Sequence, residues 1–90
     1  MEYRILLVDD DRLLREVIGE YLELNGYQVD MAEDAANALA KFEAGKYDLA
    51  LIDLVMPGMN GLELMQQLIA ADGELFLFDY DGLSHHRQRL

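Results

Sequence analysis

Asp9 and Asp10 follow the apolar run Ile5-Leu6-Leu7-Val8, and Asp53 follows the apolar run Leu49-Ala50-Leu51-Ile52. Carboxylate oxygens suit a hard cation such as Mg2+, which prefers octahedral oxygen ligands and keeps several waters. A carboxylate is also a nucleophile that forms an acyl phosphate. Three such groups in one place therefore have two uses. They hold a cation, and one of them accepts a phosphoryl group while the ion screens the repulsion. A plainer reading competes with this. An Asp after a strand commonly caps the next helix, and Asp10 or Asp11 alone needs no other role. Asp53 resists that reading, because no helix begins beside it in the sequence pattern.

The three acids meet only if the two apolar runs are neighbouring parallel strands. They would then converge at one sheet edge, where open α/β sheets bind ligands. The rest of the chain supports such a sheet. Ile5–Val8 is short and wholly apolar, as a parallel strand buried on both faces is. Leu13, Leu14, Val17, Ile18, Tyr21 and Leu22 recur at helical spacing, with Asp10 or Asp11 as the cap and Asn25-Gly26 as the stop. Tyr27, Val29 and Met31 alternate with polar residues, as in a strand exposed on one face. Asp34 caps a second helix with Ala35, Ala38, Leu39 and Phe42 inward and Gly45 at its end. Leu49–Ile52 is a second buried strand. Met56-Pro57-Gly58-Met59-Asn60-Gly61 is a loop, and Asn60 caps a third helix with Leu62, Met65, Leu68 and Ile69 inward and Asp72-Gly73 as its stop. Leu75–Phe78 is a candidate fourth strand. Strands alternating with helices imply a parallel sheet with right-handed crossovers.

The chain has 90 residues, enough for one small domain. It is 52% hydrophobic and 28% charged, a balance that suits a folded globule. Its formal net charge is −11, and no Lys or Arg lies between Lys46 and Arg87. Direct nucleic-acid binding needs basic residues to neutralise phosphates, so that partner class is not expected. Any phosphate at the acidic cluster must come with a metal ion. No cysteine is present, which removes disulfides and thiolate ligands. No apolar stretch approaches the roughly 20 residues of a membrane span. The N-terminus has no secretory pattern, so a cytoplasmic location is the expectation.

The stretch from Tyr3 to about Ala70 resembles a response-regulator receiver domain of bacterial two-component signalling. The residues that carry the resemblance are ILLVDD at 5–10, LALIDLVMPGMNG at 49–61, and the helix spacing between them. The resemblance implies a flavodoxin-like α/β fold, a truncated doubly wound parallel sheet of strand order 2-1-3(-4). It implies that Asp53 is the phosphoacceptor. Asp10 would be the main acidic Mg2+ ligand, with Asp9 assisting and Asp53 sharing the ion. The backbone carbonyl of Val55 would complete the protein's ligands, and Pro57 and Gly61 would shape the loop. The implied phosphodonor is a phosphohistidine on a sensor histidine kinase or a phosphotransfer protein.

The chain also departs from that pattern. The family runs to five strands and five helices over roughly 120 residues, within the ordinary domain range. It places a Ser or Thr after the fourth strand and a Lys after the fifth. Here there is no Thr, the only Ser is Ser84, and no Lys follows Lys46. Asp79 falls near the hydroxyl position, where another carboxylate opposes phosphate. At 4 Å two unit charges interact by about 1 kcal/mol in water and about 4 kcal/mol at an effective dielectric of 20. Weak or no phosphorylation of Asp53 is therefore expected. In the family, a fifth helix shares the face of the first. Without it, apolar side chains of the central strands are expected to meet solvent, beside an unprotected edge strand. The expectation is a homodimer, or a segment swap in which residues 75–90 take part. The chain is accordingly divided into a receiver-like core, 1–74, and an atypical strand and tail, 75–90.

Two motifs in that last segment have rival readings. An apolar strand followed by Asp79-Tyr80-Asp81-Gly82 is similar to the first motif of haloacid-dehalogenase-type phosphatases, whose first Asp is a nucleophile. The same tetrapeptide is more often a turn. His85 and His86 are candidate metal ligands, but adjacent residues rarely share one site, and Arg87 and Arg89 beside them suggest a solvated tail. The leading reading is a phosphoacceptor regulatory domain, not an enzyme. The alternative is a receiver-like interaction or dimerisation module that does not switch by phosphorylation.

Overall fold

The computed structural model describes residues 3–53 and 61–79. Its elements are β1 (Arg4–Val8), α1 (Arg12–Leu24), β2 (Gln28–Ala32), α2 (Ala35–Lys41), β3 (Leu49–Ile52), α3 (Gly61–Ala71) and β4 (Phe76–Asp79). The strands form one parallel sheet of order β2-β1-β3-β4. This is the doubly wound α/β sheet that the alternation of elements predicts. The central position of β1 explains its composition, since Ile5, Leu6, Leu7 and Val8 are all buried. A strand covered on both faces has no polar side to show.

Parallel register puts paired residues on the same face. Leu6, Val8, Ala50, Ile52 and Leu77 face one layer, where α2 and α3 supply Ala35, Ala38, Leu64, Met65 and Leu68. Burying one such Leu or Ile side chain contributes about 1.5–3 kcal/mol. Ile5 and Leu7 belong to the other face, which α1 covers. Gly19 is the buried residue of α1 there. A Cβ at Gly19 would lie 2.9 Å from Met31 Sδ and 3.8 Å from a Leu7 methyl, so α1 rests over β1 and β2.

The caps follow the short polar side chains. Asp11, not Asp10, caps α1 by accepting from the Leu14 amide at 3.1 Å, and Asn25 closes the helix before Gly26 at φ +94°. Asp34 caps α2 by accepting from the Asn37 amide at 2.8 Å. These bonds hold the Asp34 carboxyl below its ordinary value of 3.8. Asp72 ties two connections together: its carboxylate accepts from the Gly45 and Glu74 amides at 2.8 and 3.1 Å. Beside β2, the Tyr47 hydroxyl donates to Asp30 at 2.6 Å, and Arg4 and Lys46 approach the same carboxylate at 3.6 and 3.8 Å.

Several periodicity-based expectations need correction. In α1 the inward residues are Ile18, Gly19 and Leu22, while Leu13, Val17 and Tyr21 are exposed. In α3, Leu62 is exposed and Leu64 takes its place in the core, because the helix is rotated relative to the assumed face. The second helix ends at Lys41 rather than near Gly45, which lies in a following turn at φ +82°. Strand β2 is half-buried along most of its length, not one-sided, since it is an edge strand. The fourth strand is shifted by one residue, to 76–79. Solvent does not reach the apolar residues of central β1. Among the strands, the exposed apolar residues are Phe76 and Phe78 on outer β4, at 59% and 36%, beside half-buried Leu49 and Leu51 of central β3. The expected Asn60 cap lies outside the described residues.

Candidate functional site

Asp9 and Asp53 each stand one step beyond a strand, and the sheet ladder extends to hold them. The Asp9 amide donates to the Ala32 carbonyl at 3.1 Å, and the Asp53 amide donates to the Val8 carbonyl at 3.0 Å. Both backbones therefore inherit the rigidity of the sheet. Pairing of β1 with β3 sets Val8 opposite Ile52, so the residues that follow emerge side by side. The result is the convergence expected from the two apolar runs. Asp9, Asp10 and Asp53 each offer a carboxylate oxygen, and these oxygens lie within 4.8 Å of one another.

The three differ in environment. Asp9 is fully buried, Asp53 half-buried and Asp10 exposed. The Asp9 carboxylate accepts from the Asp11 amide at 2.9 Å, which shapes the turn into α1. Arg15 also enters this turn, donating from Nη1 to the Asp9 backbone carbonyl at 2.7 Å. Nothing in the acid spacing pointed to Arg15. The available signal was a basic residue near a helix N-terminus, where the dipole disfavours positive charge.

The cluster fits a hard divalent ion by its chemistry. All three side-chain donors are oxygens, and they open toward solvent at Asp10, which leaves room for the waters that Mg2+ keeps. Val55 and Pro57, expected at this site, lie outside the described residues. Gly61, expected to shape the loop, is the buried first residue of α3. The backbone of Asp79 pairs with Ile52, at the sheet end that carries Asp53. Asp81, Ser84, His85 and His86 lie outside the described residues.

The response regulator receiver domain family matches residues 5–77 of the 90-residue chain. The chain belongs to that family. The response regulator MprA of Mycobacterium bovis is 40% identical over 75 residues, covering 83% of this chain and 33% of that protein. The transcriptional regulatory protein ResD of Bacillus subtilis is 43% identical over 67 residues, covering 74% of this chain and 28% of that protein. This receiver domain thus spans about a third of the curated relatives it matches.

Solved structures agree in fold. The response regulator TrrA of Thermotoga maritima, in complex with Mg2+-BeF, is 39% identical with a TM-score of 0.80, covering 86% of this chain and 67% of that one. A chain from the complex of histidine kinase ThkA with TrrA has a TM-score of 0.83 at 38% identity, covering 98% of this chain and 76% of that one. Response regulator receiver domains are regulatory modules rather than enzymes in the usual sense. Among the described residues, no helix is long and apolar enough to cross a membrane.

Proposed function

We propose that this receiver domain accepts a phosphoryl group on Asp53 from a phosphohistidine of a sensor histidine kinase or phosphotransfer protein. The observation that carries the reading is the convergence of Asp9, Asp10 and Asp53 within 4.8 Å at the carboxyl end of the parallel sheet. An Asp53 oxygen attacks phosphorus, and the bond from phosphorus to the donor imidazole nitrogen breaks. The electron pair stays on that nitrogen, which takes a proton from solvent. Asp9, Asp10, Asp53 and the backbone carbonyl of Val55 would hold Mg2+, which, when bound, neutralises charge on the transferring oxygens. The Mg2+-BeF bound to the related TrrA supports this choice of ion.

The test is incubation with acetyl phosphate and Mg2+, followed by intact-mass measurement. A minor fraction carrying one added phosphoryl group is expected in wild type, given the carboxylate of Asp79 nearby in the sequence pattern, and none in Asp53→Asn. Equal labelling of both proteins would exclude Asp53 as the acceptor.

The second reading, an interaction module, is favoured by Asp79, which ends β4 opposite Ile52 where the family pattern places a hydroxyl. A Mg2+ response without a beryllofluoride response, read from amide shifts near Asp53, selects it. For either reading we infer a cytoplasmic location, and that this stretch does not itself bind nucleic acid, since its net charge is −11. We also infer self-association through the face of Phe76 and Phe78, with residues 75–90 taking part. A monomer by light scattering at tens of micromolar would refute that inference.

A further inference from the structure

Asp10 is the most exposed of the three acids, so its aim depends on its backbone. The peptide between Asp9 and Asp10 is planar, so fixing the Asp9 carbonyl fixes the nitrogen and Cα of Asp10. The structure shows what fixes it. Arg15 lies one helical turn beyond the Asp11 cap, and helical side chains lean toward the N-terminus. Its guanidinium reaches back and donates to the Asp9 carbonyl at 2.7 Å, while the Asp9 amide is held by Ala32 at 3.1 Å and the Asp9 carboxylate receives the Asp11 amide at 2.9 Å. The peptide that carries Asp10 is thus held on the strand side and on the helix side.

A second observation singles out the same residue. The first turn of α1 contains no acid, although acids favour that position, and two arginines lie near it. Arg12 is accounted for by Glu16, four residues on, at 3.1 Å. Arg15 instead spends a half-buried guanidinium on a backbone carbonyl at the acidic turn. A local preference broken in this way is expected where function requires it.

We propose that Arg15 is a positioning residue for the acidic site, acting through the Asp9–Asp10 peptide to aim Asp10 at the cation. This rests on the reading of the three acids as a cation site. Charge and positioning predict opposite signs for its removal. Loss of a nearby positive charge tightens cation binding, whereas loss of positioning weakens it.

The experiment is Mn2+ binding by electron paramagnetic resonance in wild type, Arg15→Met, Arg15→Lys and Arg12→Met, with thermal melting to verify each fold. Groups that orient metal ligands typically matter about 10–100-fold in affinity, so Arg15→Met is expected to bind Mn2+ about tenfold more weakly. Arg12→Met, which removes the same charge from the same end of α1, is expected to bind as tightly as wild type or more so. Arg15→Lys is expected to recover part of the loss. The Asp10 amide shift, measured without metal, is expected to move in Arg15→Met and not in Arg12→Met. Folded Arg15→Met that binds Mn2+ as well as wild type overturns the role of Arg15 and leaves the cation site standing. If Arg15→Met does not fold, Arg15→Gln, which lacks the guanidinium, takes its place, and its unchanged affinity in a folded protein overturns the proposal. Wild type that binds no Mn2+ overturns both.

Discussion

Three carboxylates drawn together without a cation should destabilise the fold that gathers them, and Asp10→Asn measures by how much. Two unit charges at 4.8 Å repel by about 0.9 kcal/mol in water and about 3.5 kcal/mol at an effective dielectric of 20. Asp10 faces two such neighbours, Asp9 and Asp53. Because Asp10 is exposed, solvent screening places the answer near the lower limit, at about 1–2 kcal/mol for both pairs. The substitution keeps the shape, and an exposed amide leaves nothing buried without a partner. Asp10→Asn should therefore raise the stability of the metal-free protein by about 1–2 kcal/mol. In a domain of this size each kcal/mol moves the melting temperature by about 4–8 °C.

The same variant should lose its response to Mg2+. Wild type at a Mg2+ concentration ten times Kd gains about 1.4 kcal/mol, because only the folded state assembles the site. Thermal melts by circular dichroism, with EDTA and with Mg2+, give both effects from one protein pair. Screening adds a control: in about 1 M NaCl the Debye length falls to about 3 Å, and the advantage of Asp10→Asn in EDTA should shrink. An Asp10→Asn protein that melts below wild type in EDTA, or that keeps the full Mg2+ increment, would refute the argument.

Three further outcomes follow from particular contacts. Leu64 is fully buried and Leu62 is 51% exposed, so Leu64→Ala should cost about 2–5 kcal/mol in urea unfolding and Leu62→Ala no more than about 0.5 kcal/mol; the reverse would mean that α3 presents its other face. The Asp34 carboxyl titrates below 3.8 in the folded state because the Asn37 amide donates to it, so the cap's contribution is complete above 3.8 and fades as pH falls through the lowered value. The melting difference between wild type and Asp34→Ala should accordingly close in strong acid, and a difference that persists there would count against the cap. Burial, and then the bond to Asp30, raise the Tyr47 pKa above 10.0, so its contribution is complete below pH 10 and is lost as pH rises toward the folded value. Tyr47→Phe should cost about 1 kcal/mol at neutral pH, converging with wild type in strong alkali.

The acids were legible in the sequence because each one ends an apolar run, and a run of four buried residues has few ways to lie in a sheet. Once β1 and β3 are parallel neighbours, their register leaves little freedom to Asp9 and Asp53. Helix faces were less legible. Leu13, Val17 and Tyr21 follow helical spacing as well as Ile18 and Leu22 do, yet they are exposed. Periodicity reports that a stripe exists, whereas the sheet decides which part of it is buried, and α1 settles where Gly19 lets it approach Met31. Arg15 left only a faint trace, a basic residue near the N-terminus of α1. Its role depends on a side chain turning back across the cap to a carbonyl, and no spacing rule encodes that contact.

The division of labour within the site follows from how each acid is held. Asp9 and Asp53 take their positions from the sheet, through amides bonded to Ala32 and Val8. Moving either one requires breaking a ladder that continues into the buried core of β1. Asp10 takes its position instead from the turn, whose peptide Arg15 holds. A cluster built this way has two fixed carboxylates and one adjustable carboxylate. A hard cation with strict octahedral demands is served by that combination, since the adjustable ligand can complete a geometry that the fixed pair only begins. The adjustable ligand is also the point at which the site can be tuned without disturbing the fold, which is why Arg15 and Asp10, rather than Asp9, are the positions where cation affinity and stability should separate.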